Sequence, residues 1–120
     1  MINLQLGVAE TRFAELVWAS EPLSTKKLVT MCEAEFQWKK TTTYTVLKRL
    51  CDKGLFVNES GIVKALISKA DFCSARSEQF VQETFAGSLP AFLAAFLKDR
   101  KLSKADVERI RQIIDEVGDE

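Results

Sequence analysis

The chain has 120 residues, 47% of them hydrophobic, with 17 basic side chains balanced by 17 acidic ones and no histidine. That much apolar material argues against disorder and suits one compact domain or two small lobes. No run of about eighteen apolar residues is available to span a bilayer, and the N-terminus lacks the basic-then-apolar pattern of an export signal, so a cytoplasmic protein without direct membrane binding is expected.

In chain order, Ala9 to Ala19 carries Phe13, Leu16 and Val17 on one side and ends before the turn-forming pair Glu21-Pro22, which predicts a first helix. Ser24 or Thr25 is placed to cap a second helix over Lys26 to Glu35, with Leu28, Met31 and Cys32 as its inward stripe. After a break at Phe36 to Lys39 comes a threonine-rich helix that stops at Gly54, the residue best suited to the left-handed conformation past a helix end.

At helical spacing Thr43, Val46, Leu47 and Leu50 share one face of that third helix, while Thr41, Tyr44, Thr45, Lys48 and Asp52 share the opposite one. Threonine loses rotamer freedom in a helix, so a Thr-Thr-Thr-x-Thr start is not explained by propensity. Base edges and phosphates explain it: hydroxyls donate to or accept from either, and Lys39, Lys40, Lys48, Arg49 and Lys53 stand at phosphate reach. A solvated face capped by threonines is the other reading. The neutral total hides a division of charge. Residues 1–68 hold nine basic and seven acidic side chains, residues 69–120 hold eight and ten, and 39–53 holds five bases with Asp52 as its sole acid.

Two short runs follow, Leu55 to Asn58 and Ile62 to Ser68, around Glu59-Ser60-Gly61, which predicts a hairpin. Three helices and a hairpin describe a winged helix, with the second and third helices as a helix-turn-helix pair and Lys64 on the hairpin offered to the flanking phosphates. Phe56, Val63 and Ile67 close the core in either reading of the hairpin. The fold class is therefore mainly α with a small β-hairpin.

Beyond Lys69 the pattern becomes purely helical, with helices expected at Asp71 to Phe85, Leu89 to Lys98 and Ser103 to Val117. This divides the chain into a winged-helix domain over 1–69 and a helical lobe over 70–120. Leu89, Phe92, Leu93, Phe96 and Leu97 make a broad apolar face, and Val107, Ile110, Ile113 and Ile114 make another behind a capping pair, Ser103 and Asp106. Together with Phe85 these surfaces exceed what three short helices cover among themselves, so a homodimer joined through them is expected, packing against the chain's own winged helix being the alternative.

Catalysis finds little to work with. There is no histidine base and no phosphate-cradling glycine loop, and Cys51 lacks an imidazole partner. Cys32, Cys51 and Cys73, odd in number and scattered, fit a reducing compartment and are read as small core residues, with a redox switch at an exposed thiol as the alternative. No close cysteine pair exists to build a metal site, so neither metal nor cofactor is expected.

Several segments taken together resemble the BlaI/MecI/CopY family of bacterial transcriptional repressors: Leu6-Gly7-x-Ala9-Glu10, Leu16-x-Trp18, Leu23-Ser24, and Trp38-x-x-Thr41-Thr42-x-x-Thr45-Val46-Leu47-x-Arg49-Leu50-x-x-Lys53-Gly54-Leu55. Ser88-Leu89-Pro90-Ala91, Lys101-Leu102-Ser103 and the isoleucine-rich last helix resemble that family's dimerisation helices. The resemblance covers nearly the whole chain. It implies a winged-helix dimer that binds double-stranded, palindromic operator DNA and blocks transcription, with Thr41, Thr42, Tyr44, Thr45 and Arg49 facing the groove. Tyr44 departs from the basic residue that some members carry there. It also implies induction through a membrane sensor protease system, with the junction corresponding to Ala95-Phe96, where alanine replaces the amide residue of the best-studied pattern. The chain ends Asp115-Glu-Val-Gly-Asp-Glu120 without the cysteines of the copper-responsive branch. A winged helix that binds protein instead of DNA is the alternative function.

Overall fold

Apolar spacing and local caps set the elements of the computed structural model, which describes residues 2–118. Helix α1 spans Val8–Ser20, strand β1 Leu23–Ser24, α2 Thr25–Phe36, α3 Lys40–Asp52, β2 Phe56–Glu59, β3 Ile62–Ala65, α4 Lys69–Phe85, α5 Leu89–Leu97 and α6 Lys104–Val117. All six expected helices and both hairpin strands form, and the fold is a winged helix followed by helices. The ends differ locally. Ser24 is the cap of α2, its hydroxyl accepting from Lys27 N–H at 3.1 Å, so the helix begins at Thr25. Helix α4 starts at Lys69, two residues before the expected Asp71, because the Ser68 hydroxyl accepts from Asp71 N–H at 3.0 Å.

The hairpin is tighter than the sequence suggests. Glu59 is paired with Ile62, leaving Ser60 and Gly61 alone in the turn, and both have positive φ, 52° and 85°. That is the pattern of a two-residue turn whose twist matches the strands. Asn58 fastens it by accepting from Gly61 N–H through Oδ1 at 3.0 Å. Strand β3 ends at Ala65, short of the expected Ser68. On its other edge β3 pairs antiparallel with β1, Leu23 opposite Val63, giving a sheet of order β1-β3-β2. The strand β1 was not expected, since two residues beside a helix cap show no alternation to read.

Contacts divide the chain into two compact units, residues 1–79 and 80–120. In the first, Phe13 and Val17 of α1, Leu28 and Cys32 of α2, Val46, Leu47 and Leu50 of α3, and Phe56 and Val63 of the hairpin form one core. Trp18 seals it, packing against Phe56 and Phe72 with ring centroids 5.6 and 5.4 Å away and donating from Nε1 to Ile67 O at 3.0 Å. The opening turns of α4 belong to this unit through buried Phe72. In the second unit Phe80, Phe85, Phe92 and Phe96 touch in sequence with centroids 5.6–6.1 Å apart. Ser88 caps α5 and Ser103 caps α6, each hydroxyl accepting a backbone N–H three residues on. No described residue after Phe72 is buried. Among the described residues no single helix is long and apolar enough to cross a membrane.

Candidate nucleic-acid interface

Helix α3 owes its position to its inner stripe. Thr43, Val46, Leu47 and Leu50 are all buried, as their spacing requires, and Thr43 lies against the Cys32 thiol of α2. The helix ends in a double bond of the kind that needs a left-handed residue: Gly54 N–H donates to Cys51 O at 3.0 Å and Leu55 N–H to Leu50 O at 3.1 Å. Gly54 has φ 89°, and a Cβ there would also meet Ile2 Cγ1 at 3.3 Å. The chain thus leaves α3 directly into the hairpin. At the other end Gln37, left-handed at φ 57°, closes α2 and turns the backbone toward α3.

With the inner stripe fixed, Lys39, Lys40, Thr41, Thr42, Tyr44, Thr45, Lys48 and Arg49 are all exposed. Thr45 Oγ1 donates to Thr41 O at 2.9 Å, which leaves the hydroxyl's lone pairs and its methyl facing outward. Lys40 Nζ stands 5.9 Å from the Tyr44 ring. Lys48 pairs with Asp52 at 3.1 Å, both mostly exposed, an i,i+4 pair of a few tenths of a kcal/mol that a phosphate readily displaces. Lys39 and Lys40 have no ion pair among the described residues. Across an open groove of about 410 Å³ from α3, bounded by Tyr44, Lys48, Cys51, Val57 and Asn58, lies the hairpin. Lys64 is exposed on β3, opposite Val57, with its Nζ 3.8 Å from Glu59.

Lys53 departs from the expectation drawn from its place in the basic run. Its side chain is only 19% exposed, and Nζ donates to Gln5 O at 2.7 Å and to Glu10 Oε1 at 3.3 Å. It ties the N-terminal segment and α1 to the end of α3. Glu10 is the acceptor that sequence reading missed as part of this surface. Its carboxyl is held below the usual carboxylate range, first by the Gly7 N–H and then by Lys53 and Arg49, against the opposing effect of burial. The signal was present in the Gly7-x-x-Glu10 spacing, a carboxylate three residues past a helix start.

The cysteines separate by environment. Cys32 is buried as expected, and burial pushes its thiol up. Cys51 is half-buried on α3, and burial together with Asp52 pushes it up as well. Cys73 is exposed on α4 and is not a core residue, because the core contact of that turn is made by its neighbour Phe72.

The expected dimerisation residues form no closed core within the second unit. Leu89, Phe96, Ile113 and Ile114 are exposed, Phe96 by 51%, whereas Phe85, Phe92, Leu93, Leu97, Val107 and Ile110 are half-buried. The Ala95-Phe96 junction sits on the exposed side of α5.

The family profile described as penicillinase repressor matches residues 6–116. The chain is 25% identical over 116 residues to the penicillinase repressor of Bacillus licheniformis, covering 93% of this chain and 91% of that protein. It is 21% identical over 115 residues to the methicillin resistance regulatory protein MecI of Staphylococcus aureus strain N315, covering 92% of this chain and 93% of that one. The chain belongs to the penicillinase repressor family, a family of DNA-binding transcriptional repressors and not of enzymes.

Proposed function

We propose that this repressor acts as a homodimer on a palindromic operator, each winged helix reading one half-site in the major groove. The observation that carries the reading is the split of α3: one stripe is sealed in the core, the opposite one offers Thr41, Tyr44 and Thr45, and Thr42 and Arg49 stand exposed beside it among lysines. Threonine hydroxyls and the Arg49 fork are suited to base edges. Lys39, Lys40, Lys48 and, from the hairpin, Lys64 neutralise phosphates and supply affinity with a salt dependence. Residues 1–69 form the DNA-binding domain in this reading, and residues 70–120 hold two readers at the spacing of successive major grooves.

Dimerisation is supported by the uncovered apolar side chains of α5 and α6. Large exposed apolar patches in a stable protein mark interfaces. Relief of repression by proteolysis at Ala95-Phe96, under a membrane sensor protease system, fits the exposed placement of that bond. It requires α5 to open locally before a protease engages it. The site of action is the cytoplasm.

The test is electrophoretic mobility shift of DNA taken from upstream of the protein's own gene, titrated with salt. Affinity falling steeply with salt and surviving competitor DNA is expected. Salt-insensitive association with protein alone, and no DNA shift, overturns the proposal in favour of a protein-binding winged helix.

A further inference from the structure

Among the described residues one buried side-chain oxygen has no hydrogen-bond donor: Oε2 of Glu10. Its sister Oε1 is fully occupied, accepting from Gly7 N–H at 3.0 Å and from Lys53 Nζ at 3.3 Å. The cation facing Oε2 is Arg49 Nη1 at 3.7 Å, beyond hydrogen-bond length and within ion-pair reach. The glutamate side chain is 13% exposed and the arginine 53%. One edge of the guanidinium therefore faces a covered anion while the rest faces solvent, on the helix whose outer stripe carries the candidate base contacts. A carboxylate oxygen withdrawn from water needs a charge partner. Lys53 is committed to Oε1 and to Gln5 O, which leaves Arg49 for Oε2. A guanidinium is suited to such a role, because its planar fork has donors on more than one edge and is held by one while presenting another.

We propose that Glu10 is a positioning residue for Arg49: from α1 it anchors one edge of the guanidinium from behind, so that the other edge is presented at a fixed angle to DNA. This rests on α3 being the DNA-reading helix. An anchored arginine discriminates between base sequences, because less of its freedom is lost on forming the correct contact and it adapts poorly to wrong ones. A released arginine still attracts phosphates and so keeps general affinity. Glu10 thus acts on the ratio of specific to non-specific binding.

Glu10→Gln removes the charge facing Arg49 together with the one facing Lys53, so it is compared in two backgrounds. The amide oxygen still accepts from Gly7 N–H and Lys53, and the charge facing Arg49 is gone. Affinities are measured by fluorescence anisotropy for duplexes that the parent protein enriches from a randomised pool and for poly(dI-dC). Glu10→Gln is expected to lower the specificity ratio by roughly two- to fivefold, the scale of one partly exposed ion pair. Arg49→Lys, which keeps the charge and loses the fork, is expected to lower it too, and adding Glu10→Gln to Arg49→Lys should lower it no further. An unchanged ratio in Glu10→Gln, or an equal drop in both backgrounds, overturns the proposal, the second outcome meaning that Glu10 acts through the fold alone. The unsubstituted protein gives a check that needs no variant. The Arg49 side-chain Nε–H should be more ordered on the ps–ns timescale by NMR than those of Arg109 and Arg111 on α6, and equal mobility overturns the anchoring. A parent protein that enriches no sequence from the pool sinks the DNA-reading premise, while the NMR result judges the Glu10–Arg49 arrangement by itself.

Discussion

Replacing Thr45 with alanine should make the protein slightly more stable and a poorer DNA binder. The Thr45 hydroxyl donates to Thr41 O at 2.9 Å, an i−4 bond to a carbonyl within the helix that contributes little to the fold. The side chain is exposed, so no core contact is lost. Alanine gains about 0.5 kcal/mol of helix propensity, which for a chain of this size raises the melting temperature by up to about 2 °C. Against DNA the same change removes a hydroxyl and a methyl from the reading face, at about 1 to 3 kcal/mol for a good contact, or roughly five- to a hundredfold in affinity. Thr43, two residues earlier and 1% exposed, reverses the sign on stability and has no part in binding. Thr43→Ala removes a buried methyl and a hydroxyl that bonds Lys39 O, and should cost about 1 to 3 kcal/mol of stability while leaving the affinity of the folded fraction unchanged. Circular dichroism melts and anisotropy with a labelled duplex at two salt concentrations give all four numbers. A Thr45→Ala protein that melts several degrees lower and binds DNA like the parent would refute the assignment of the two faces.

Charged residues at Phe96 and Ile113, 51% and 44% exposed, should turn the proposed dimer into a monomer by sedimentation velocity with helical content retained, and a persisting dimer would move the interface elsewhere. Glu10, whose carboxyl is depressed in the folded protein chiefly by the Gly7 N–H, contributes stability that is complete above the ordinary carboxylate value of 4.5 and disappears as pH falls through the lower folded value. The stability gap between the parent and Glu10→Gln should therefore close on acidification below about pH 4.5, measured by urea unfolding, and a gap that widens there contradicts the assignment. Iodoacetamide applied to the native protein should label exposed Cys73 first, Cys51 slowly and Cys32 only on unfolding, read by peptide mass spectrometry, since burial both covers the last two thiols and holds them protonated. Trp18→Phe, which gives up the bond to Ile67 O, should cost about 1 kcal/mol or somewhat more and leave DNA binding unaltered once folding is complete.

The helical parts of the fold were legible because period and punctuation agreed: Thr43, Val46, Leu47 and Leu50 at helical spacing, a serine before α2, α5 and α6, and Gly54 after α3. Strand β1 escaped because two residues carry no periodicity and their pairing is decided by β3, about forty residues away. The inner and outer stripes of α3 followed from geometry alone, which is why the exposed threonines and lysines stand where their spacing put them. Lys53 did not follow, because its fate depends on a carbonyl and a carboxylate that the fold brings from Gln5 and Glu10. Sequence shows that a lysine is in a basic run and is silent on which acid folds beside it. Cys73 was misjudged for a related reason: Phe72 and Cys73 are adjacent on α4, and the fold turns Phe72 to the core and leaves Cys73 exposed.

The most direct trial of the outward face of α3 as a base-reading surface is an amide chemical-shift titration of the full chain with a duplex that it enriches from random DNA, against an unrelated duplex of equal length. Shifts should concentrate at Thr41, Thr42, Tyr44, Thr45 and Arg49 and differ between the two duplexes, with Lys39, Lys40 and Lys64 responding alike to both. Undisturbed amides along α3, or identical shifts with either DNA, would contradict it.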